Sequence, residues 1–253
     1  MTEAPIFTRR PQLIERGLNP DAKLPSGLTI AGVRTALDGL YDYLHDVNTF
    51  LVSRGYDRLE ETFLGNAFSG FISELMVRNL SSASEILTRN TRVGGHPDLV
   101  PRGVYPQDAV LHGERGVELK ASIKSSGWEG HNAESSWIMV VQYAVDIASE
   151  PVMDRCPTEI LKVMAAKLEE EDWKLHKRGE NSRRTPTSSI LPSGTAKLKA
   201  NAIYTHPRYV SARARMNDQL RKLHIQPELF DQDTAIEMTT AQTASVTTAE
   251  PPP

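Results

Sequence analysis

The hydrophobic period of the chain changes near Ser81, and that change separates what can be helix from what must be sheet. From Thr29 to Arg54 apolar residues recur at helical spacing, through Val33, Leu37, Leu40, Tyr41, Leu44, Val47 and Leu51, and the pattern stops at Gly55. A second helical segment runs from Leu59 to Leu80, with Phe63, Ala67, Phe71 and Leu75 at steps of four. Beyond Ser81 the texture becomes short β-prone runs broken by Gly and Pro, and the sheet is expected to begin there.

Residues 135–146, SSWIMVVQYAVD, lack clean alternation and predict a central strand covered on both faces. Residues 157–177 predict a helix, because Pro157 suits a first turn, Glu159 lies near the positive end of the dipole, and Ile160, Val163, Met164 and Leu168 form a stripe. A polar loop over 179–194, a last strand within KLKANAIYTH and a helix over 208–223 complete the expected order. The fold class is therefore α/β, a central mixed β-sheet flanked by helices. Residues 1–26 read as an irregular N-terminal arm, 27–231 as one domain, and 232–253, rich in Thr, Ala and Pro, as a disordered tail.

Composition narrows the function classes. Hydrophobic residues make up 39% of the 253, enough for a sizeable core. The single cysteine, Cys156, excludes an intramolecular disulfide framework and a multi-cysteine zinc site. No stretch is apolar for long enough to span a bilayer, and the N-terminus lacks the basic-then-apolar order of a signal peptide, so a cytoplasmic location with no membrane partner is expected. Net charge, at -3, decides nothing about nucleic acid, since a local basic patch suffices. Basic residues do cluster at 174–184 and 208–222. The chain carries no phosphate-cradling glycine loop ending in Lys-Ser/Thr, no G-x-S-x-G elbow and no H-E-x-x-H helix.

The chemistry-bearing stretch is QDAVLHGERGVELKAS, residues 107–122. A turn-prone HGER between two β runs predicts a hairpin, with Asp108 on the first strand and Glu118 and Lys120 on the second. Residues two apart on a strand share a face, so Glu118 and Lys120 point the same way and Leu119 points into the opposite layer. A simple four-residue hairpin pairs Asp108 with Leu119, so a bulge or shifted register is required to bring the two acids together. Adjacent carboxylates repel and are stable as anions with a divalent cation between them. Mg²⁺, an ammonium and a bound water make a site for phosphodiester hydrolysis.

Asp108, Glu118 and Lys120, with E-L-K followed by small and hydroxylic residues, resemble the core of PD-(D/E)XK nucleases, especially compact dimeric type II restriction endonucleases. The resemblance implies a restriction-endonuclease-like sheet, Mg²⁺ held by Asp108 and Glu118, Lys120 as the catalytic lysine, double-stranded DNA as substrate and a homodimer that cuts both strands. Gln107 rather than Pro precedes Asp108, and the literal Pro97-Asp98 pair makes Asp98 the alternative metal ligand. Glu74, on the helix before the sheet, is a further candidate acid. The loop after the catalytic strand offers Lys124, Ser125, Ser126, Trp128, His131 and Asn132 as DNA contacts. Two alternatives accompany this reading: a structure-specific repair, recombination or phage DNA-processing nuclease, and a non-catalytic DNA-binding protein that uses the basic C-terminal helix.

Overall fold

The computed structural model describes residues 6–25, 27–63, 65–130, 133, 135–176 and 187–222. The expected tail at 232–253 lies outside them, as do His131 and Asn132.

The first helix forms where its period predicts. α1, Ile30–Ser53, is capped by Thr29, whose hydroxyl accepts the Gly32 N–H at 2.9 Å. It buries Val33, Leu37, Leu40, Tyr41 and Leu44. The second expected helix is divided into α2, Leu59–Thr62, and α3, Asn66–Ser82, because Phe63 takes an extended conformation and ends α2. α3 packs on α1, and Asn79 ties the pair together by donating to the Ala36 carbonyl at 3.0 Å.

The sheet follows. β1, Leu87–Arg89, and β2, Leu99–Pro101, are short; β3, Val117–Ser122, leads through the two-residue β4, Glu129–Gly130, to β5, Ser136–Ala144. Next come β6, Glu159–Leu168, β7, Trp173–His176, and β8, Thr187–Ile190. α4, Pro192–Ala200, β9, Ala202–Thr205, and α5, Tyr209–Lys222, complete the chain order. Six strands form one mixed sheet in the order β1-β2-β3-β5-β6-β9, with β3 and β5 parallel and the other pairs antiparallel. β4, β8 and β7 form a second sheet. The chain is thus α/β with a central mixed sheet flanked by helices, as expected.

Alternation along β5 assigns the two faces. Met139, Val141 and Tyr143 join the main core beneath α1 and α3, while Ile138 and Val140 join a smaller core with Trp128, Trp173, Ile190 and Leu198. The expected central strand covered on both faces is observed at Ser136–Ala144, buried from Ile138 onward.

Three expectations are corrected. Residues 159–168, expected within a helix, are the strand β6. Ile160, Val163 and Ala165 go to the main core and Met164, Ala166 and Leu168 to the smaller one, so pairing with β5 and β9 overrides a helical stripe that the same residues also satisfy. The last strand begins only at Ala202, because Pro192 opens α4 just before it, and β8 falls inside the expected loop. The N-terminal arm is irregular but docked: Leu13, Leu18, Ala22 and Leu24 pack on the main core, and Asn19 N–H bonds the Ile203 carbonyl at 2.9 Å.

Among the described residues no helix is long and apolar enough to cross a membrane.

Candidate active site

The expected hairpin does not form. Residues 109–113 run beside His96 instead, with His96 N–H bonding Leu111 O at 2.9 Å and Gly113 N–H bonding His96 O at 2.7 Å. The antiparallel partner of β3 is instead β2, through Leu99 and Val117. One step along that register, Asp98 stands across from Glu118, and cross-strand neighbours share a face. A glycine makes this approach possible: a Cβ on Gly116 would collide with the Leu99 carbonyl and the Pro97 ring.

Asp98, not Asp108, is therefore the acid brought to Glu118. Its Oδ2 accepts the Leu119 N–H at 2.7 Å. Asp108 ends a tight turn at Pro106–Asp108 with φ of 54°, and its Oδ1 accepts the Gly103 N–H at 2.6 Å. It is a turn residue, a role that an Asp side chain fills well. Glu74 is also placed elsewhere, paired with Arg89 at 2.7 Å on the exposed surface.

Glu118 is held on both oxygens. Lys120 Nζ donates to Oε1 at 2.6 Å, and His96 Nδ1 lies 3.0 Å from Oε2. Burial alone would push the Glu118 carboxyl up, but the His96 hydrogen bond and the Lys120 charge outweigh it and bring the pKa down to about 2. Asp98 moves the other way. Burial first, then the neighbouring Glu118 charge, raise it to about 7, against the bond from Leu119 and the charge of Lys120. The two carboxyls are thus pushed in opposite directions, Glu118 toward the anion and Asp98 toward the protonated acid.

Buried Asn90 supports this arrangement from below. Its Nδ2 donates to Pro97 O at 3.0 Å and Val110 O at 2.9 Å, and its own N–H bonds Asp98 O at 2.8 Å. His96 and Asn90 were not singled out in the sequence. The HPD tripeptide carries the signal for His96, which is adjacent in sequence to the Pro97-Asp98 pair.

The far end of β3 is open. β2 pairs with β3 only near Val117, so the edge of β3 beyond it is met by side chains: Asp98 takes the Leu119 N–H and Ser73 Oγ donates to the Leu119 carbonyl at 3.4 Å. A cleft of about 490 Å³ lies along this edge, with Asn66, Ser69, Gly70 and Ser73 of α3 on one side and Lys120 and Lys124 on the other. Trp128 also borders it but is buried, with Nε1 bonded to Lys124 O at 3.2 Å, and Ser125 is buried too. Of the expected DNA contacts, Lys124 and Ser126 are partly accessible, whereas Ser125 is buried and Trp128 belongs to the smaller core.

Among the described residues no three His, Cys, Asp or Glu side chains converge to hold a metal ion. A divalent cation at Asp98 and Glu118 would rest on two carboxylates and complete its shell with water, which is the pattern Mg²⁺ favours. Burial and then repulsion from Glu118 raise Asp98, and a cation between the two carboxylates would relieve the repulsion, so the donor pair fits it. No protein-family model matches this sequence and no curated protein matches it.

Proposed function

We propose that this chain is a Mg²⁺-dependent deoxyribonuclease of the PD-(D/E)XK type, hydrolysing phosphodiester bonds of double-stranded DNA. The observation that carries the reading is half-buried Asp98, just before β2, set across from buried Glu118 of β3 one step beyond the Leu99–Val117 pair, with Lys120 bonded to Glu118. With Asp98 in place of Asp108, the family's pattern becomes literal: Pro97-Asp98, then Glu118-Leu119-Lys120.

Asp98 and Glu118 are the residues that would hold Mg²⁺, which supplies Lewis-acid activation of water and of the phosphoryl oxygens. Lys120, fixed by Glu118, places an ammonium where it can hold the attacking water and offset charge on the pentacovalent phosphorus. Asp98, which burial and Glu118 push toward the protonated form, would have to be ionised to serve as a ligand. A sequence-specific type II restriction enzyme, acting in the cytoplasm as a homodimer that cuts both strands, is the form this reading takes.

The non-catalytic alternative draws less support. In α5 the guanidinium of buried Arg213 is bonded to the Ile123 carbonyl, and Arg208 and Arg215 flank Glu159 at 3.9 and 3.3 Å, which ties the helix to the sheet.

The test is incubation of the purified protein with plasmids of varied sequence and with branched DNA, in Mg²⁺ and in EDTA. Discrete plasmid fragments that vanish with EDTA and with Lys120→Ala support the restriction-type reading, and preferential cutting of branched DNA supports a structure-specific nuclease. A folded protein that cuts none of these substrates sinks the proposal.

A further inference from the structure

The stripe of Phe63, Ala67 and Phe71, spaced for burial, is turned largely outward. Phe63 and Ala67 are exposed, and Phe71 is half-buried beside Tyr43 of α1, with ring centroids 5.9 Å apart. Tyr43 and Phe50, seven apart on α1, share a face. α2 is tied to the same end of that helix, since the Asn48 side chain accepts the Leu59 N–H at 2.9 Å, and Phe63 closes α2. Tyr56 follows just past the helix end, its N–H bonded to Leu51 O at 3.0 Å. Tyr43, Phe50, Tyr56 and Phe63 are 43%, 63%, 63% and 44% exposed, which at ~200 Å² for an aromatic side chain leaves about 400 Å² of aromatic surface in water. Apolar patches of that size on a soluble chain mark contact surfaces. The charges around Phe50 narrow what fits. Asp46 and Arg54, both exposed, stand one turn before and one turn after it on a single row of residues four apart. Asp46 meets its neighbour His45 at 3.0 Å and is otherwise in solvent, its side chain 79% exposed. Such a row is complementary to itself in reverse: two copies of α1 crossing antiparallel at Phe50 set each Asp46 beside the other's Arg54.

We propose that this aromatic face of α1, α2 and α3 is the contact between two copies of the chain, related by a two-fold axis near Phe50. The area is in proportion: a stable dimer buries about 800 Å² per partner, of which about 500 Å² is apolar, and the four aromatics supply most of that. A two-fold contact uses the same patch on both subunits, so aromatic rings meet aromatic rings while acids meet bases. For its purpose the inference rests on the nuclease reading, and it names the face of the homodimer which that reading calls for. Asn66 and Gly70, on the border of the cleft, lie on either side of Ala67 in the α3 sequence, so each cleft lies beside the contact.

The test is sedimentation equilibrium of the purified full chain without DNA, for the parent, Phe50→Glu, Asp46→Arg, Arg54→Asp and the double swap of Asp46→Arg with Arg54→Asp. Thermal unfolding and plasmid cleavage in Mg²⁺ are recorded for each. The parent is expected to dimerise with a Kd of about 10 µM or tighter. Phe50→Glu is expected to raise that Kd by about thirtyfold or more, with Tm at high dilution unchanged because the side chain is exposed. Either single swap sets like charges together and is expected to weaken the dimer by about tenfold, and the double swap to restore it, a rescue that a fault in folding would not show. A monomeric parent overturns the proposal, and a Tm lowered by Phe50→Glu in that monomer assigns the patch to another part of the same chain. A dimer indifferent to Phe50→Glu and to the swaps overturns the choice of face. A parent that dimerises through this face and cuts no DNA sinks the nuclease reading and leaves the interface standing.

Discussion

Asp98 Oδ2 accepts the backbone N–H of Leu119 at 2.7 Å, and this bond fixes an acid from the preceding loop beside Glu118. The arrangement separates the two candidate acids experimentally. Asp98→Asn is expected to lower DNA cleavage by about 10²-fold or more, since the ligand charge is lost while the bond to Leu119 is retained. Asp108→Asn is expected to cut at the parent rate, because Asn also accepts the Gly103 N–H and adopts positive φ. Parallel cleavage time courses check both.

Lys120→Ala removes the ammonium 2.6 Å from Glu118. Cleavage is expected to fall by about 10²–10⁴-fold with DNA affinity reduced far less, because the group acts on the reacting phosphate. Single-turnover rates beside duplex binding in EDTA separate the two effects.

Stability without metal should depend on pH in a way that identifies the pair. Asp98, raised to about 7 by burial and Glu118, keeps in the folded state a proton that the unfolded chain releases near 3.8, so its contribution to stability is lost as pH rises from about 4 to about 7. Glu118, lowered to about 2, contributes stability present above its ordinary 4.5 and lost as pH falls toward about 2. In EDTA at about pH 8, Asp98→Asn should therefore be more stable than the parent by on the order of 1–3 kcal/mol. Denaturant melts across a pH series measure this.

Mg²⁺ should act against that order. At about 100 times its Kd the ion stabilises the folded parent by about 2.7 kcal/mol, and Asp98→Asn should lose most of this gain. Thermal unfolding with and without Mg²⁺ reads it directly.

His96 lies 3.0 Å from the second oxygen of Glu118. His96→Ala is expected to reduce Mg²⁺ affinity or activity by about 10–100-fold, through a less firmly held carboxylate. Calorimetric titration of Mg²⁺ into the variant distinguishes weaker metal binding from slower chemistry.

The parts of the fold legible in the sequence are those set by local period and caps. α1 was legible from its stripe and its stop at Gly55, and β5 from a β-prone run without clean alternation. β6 was not, because Ile160, Val163, Met164 and Leu168 satisfy a helix stripe as well as a doubly buried strand, and pairing with distant β5 and β9 decides between them. Glu118 and Lys120 were legible because their spacing alone puts them on one face. The acid facing them was not: HGER looked like a hairpin turn, whereas the close approach allowed by Gly116 lets Leu99 pair with Val117. Trp128, in a Gly-rich loop just after β3, suited a groove contact or a place on the core equally well, and its ring completes the smaller core.

The open edge of β3 has a second consequence, for solubility. An unpaired strand edge invites a neighbouring chain to add a strand, and here Asp98 and Ser73 take up the Leu119 N–H and carbonyl that such a strand would use. An alanine at position 98 would remove the guard from the N–H as well as the acid, so its loss of activity would be confounded with self-association. Asparagine, which keeps the bond and discards the charge, is the substitution that isolates the chemistry.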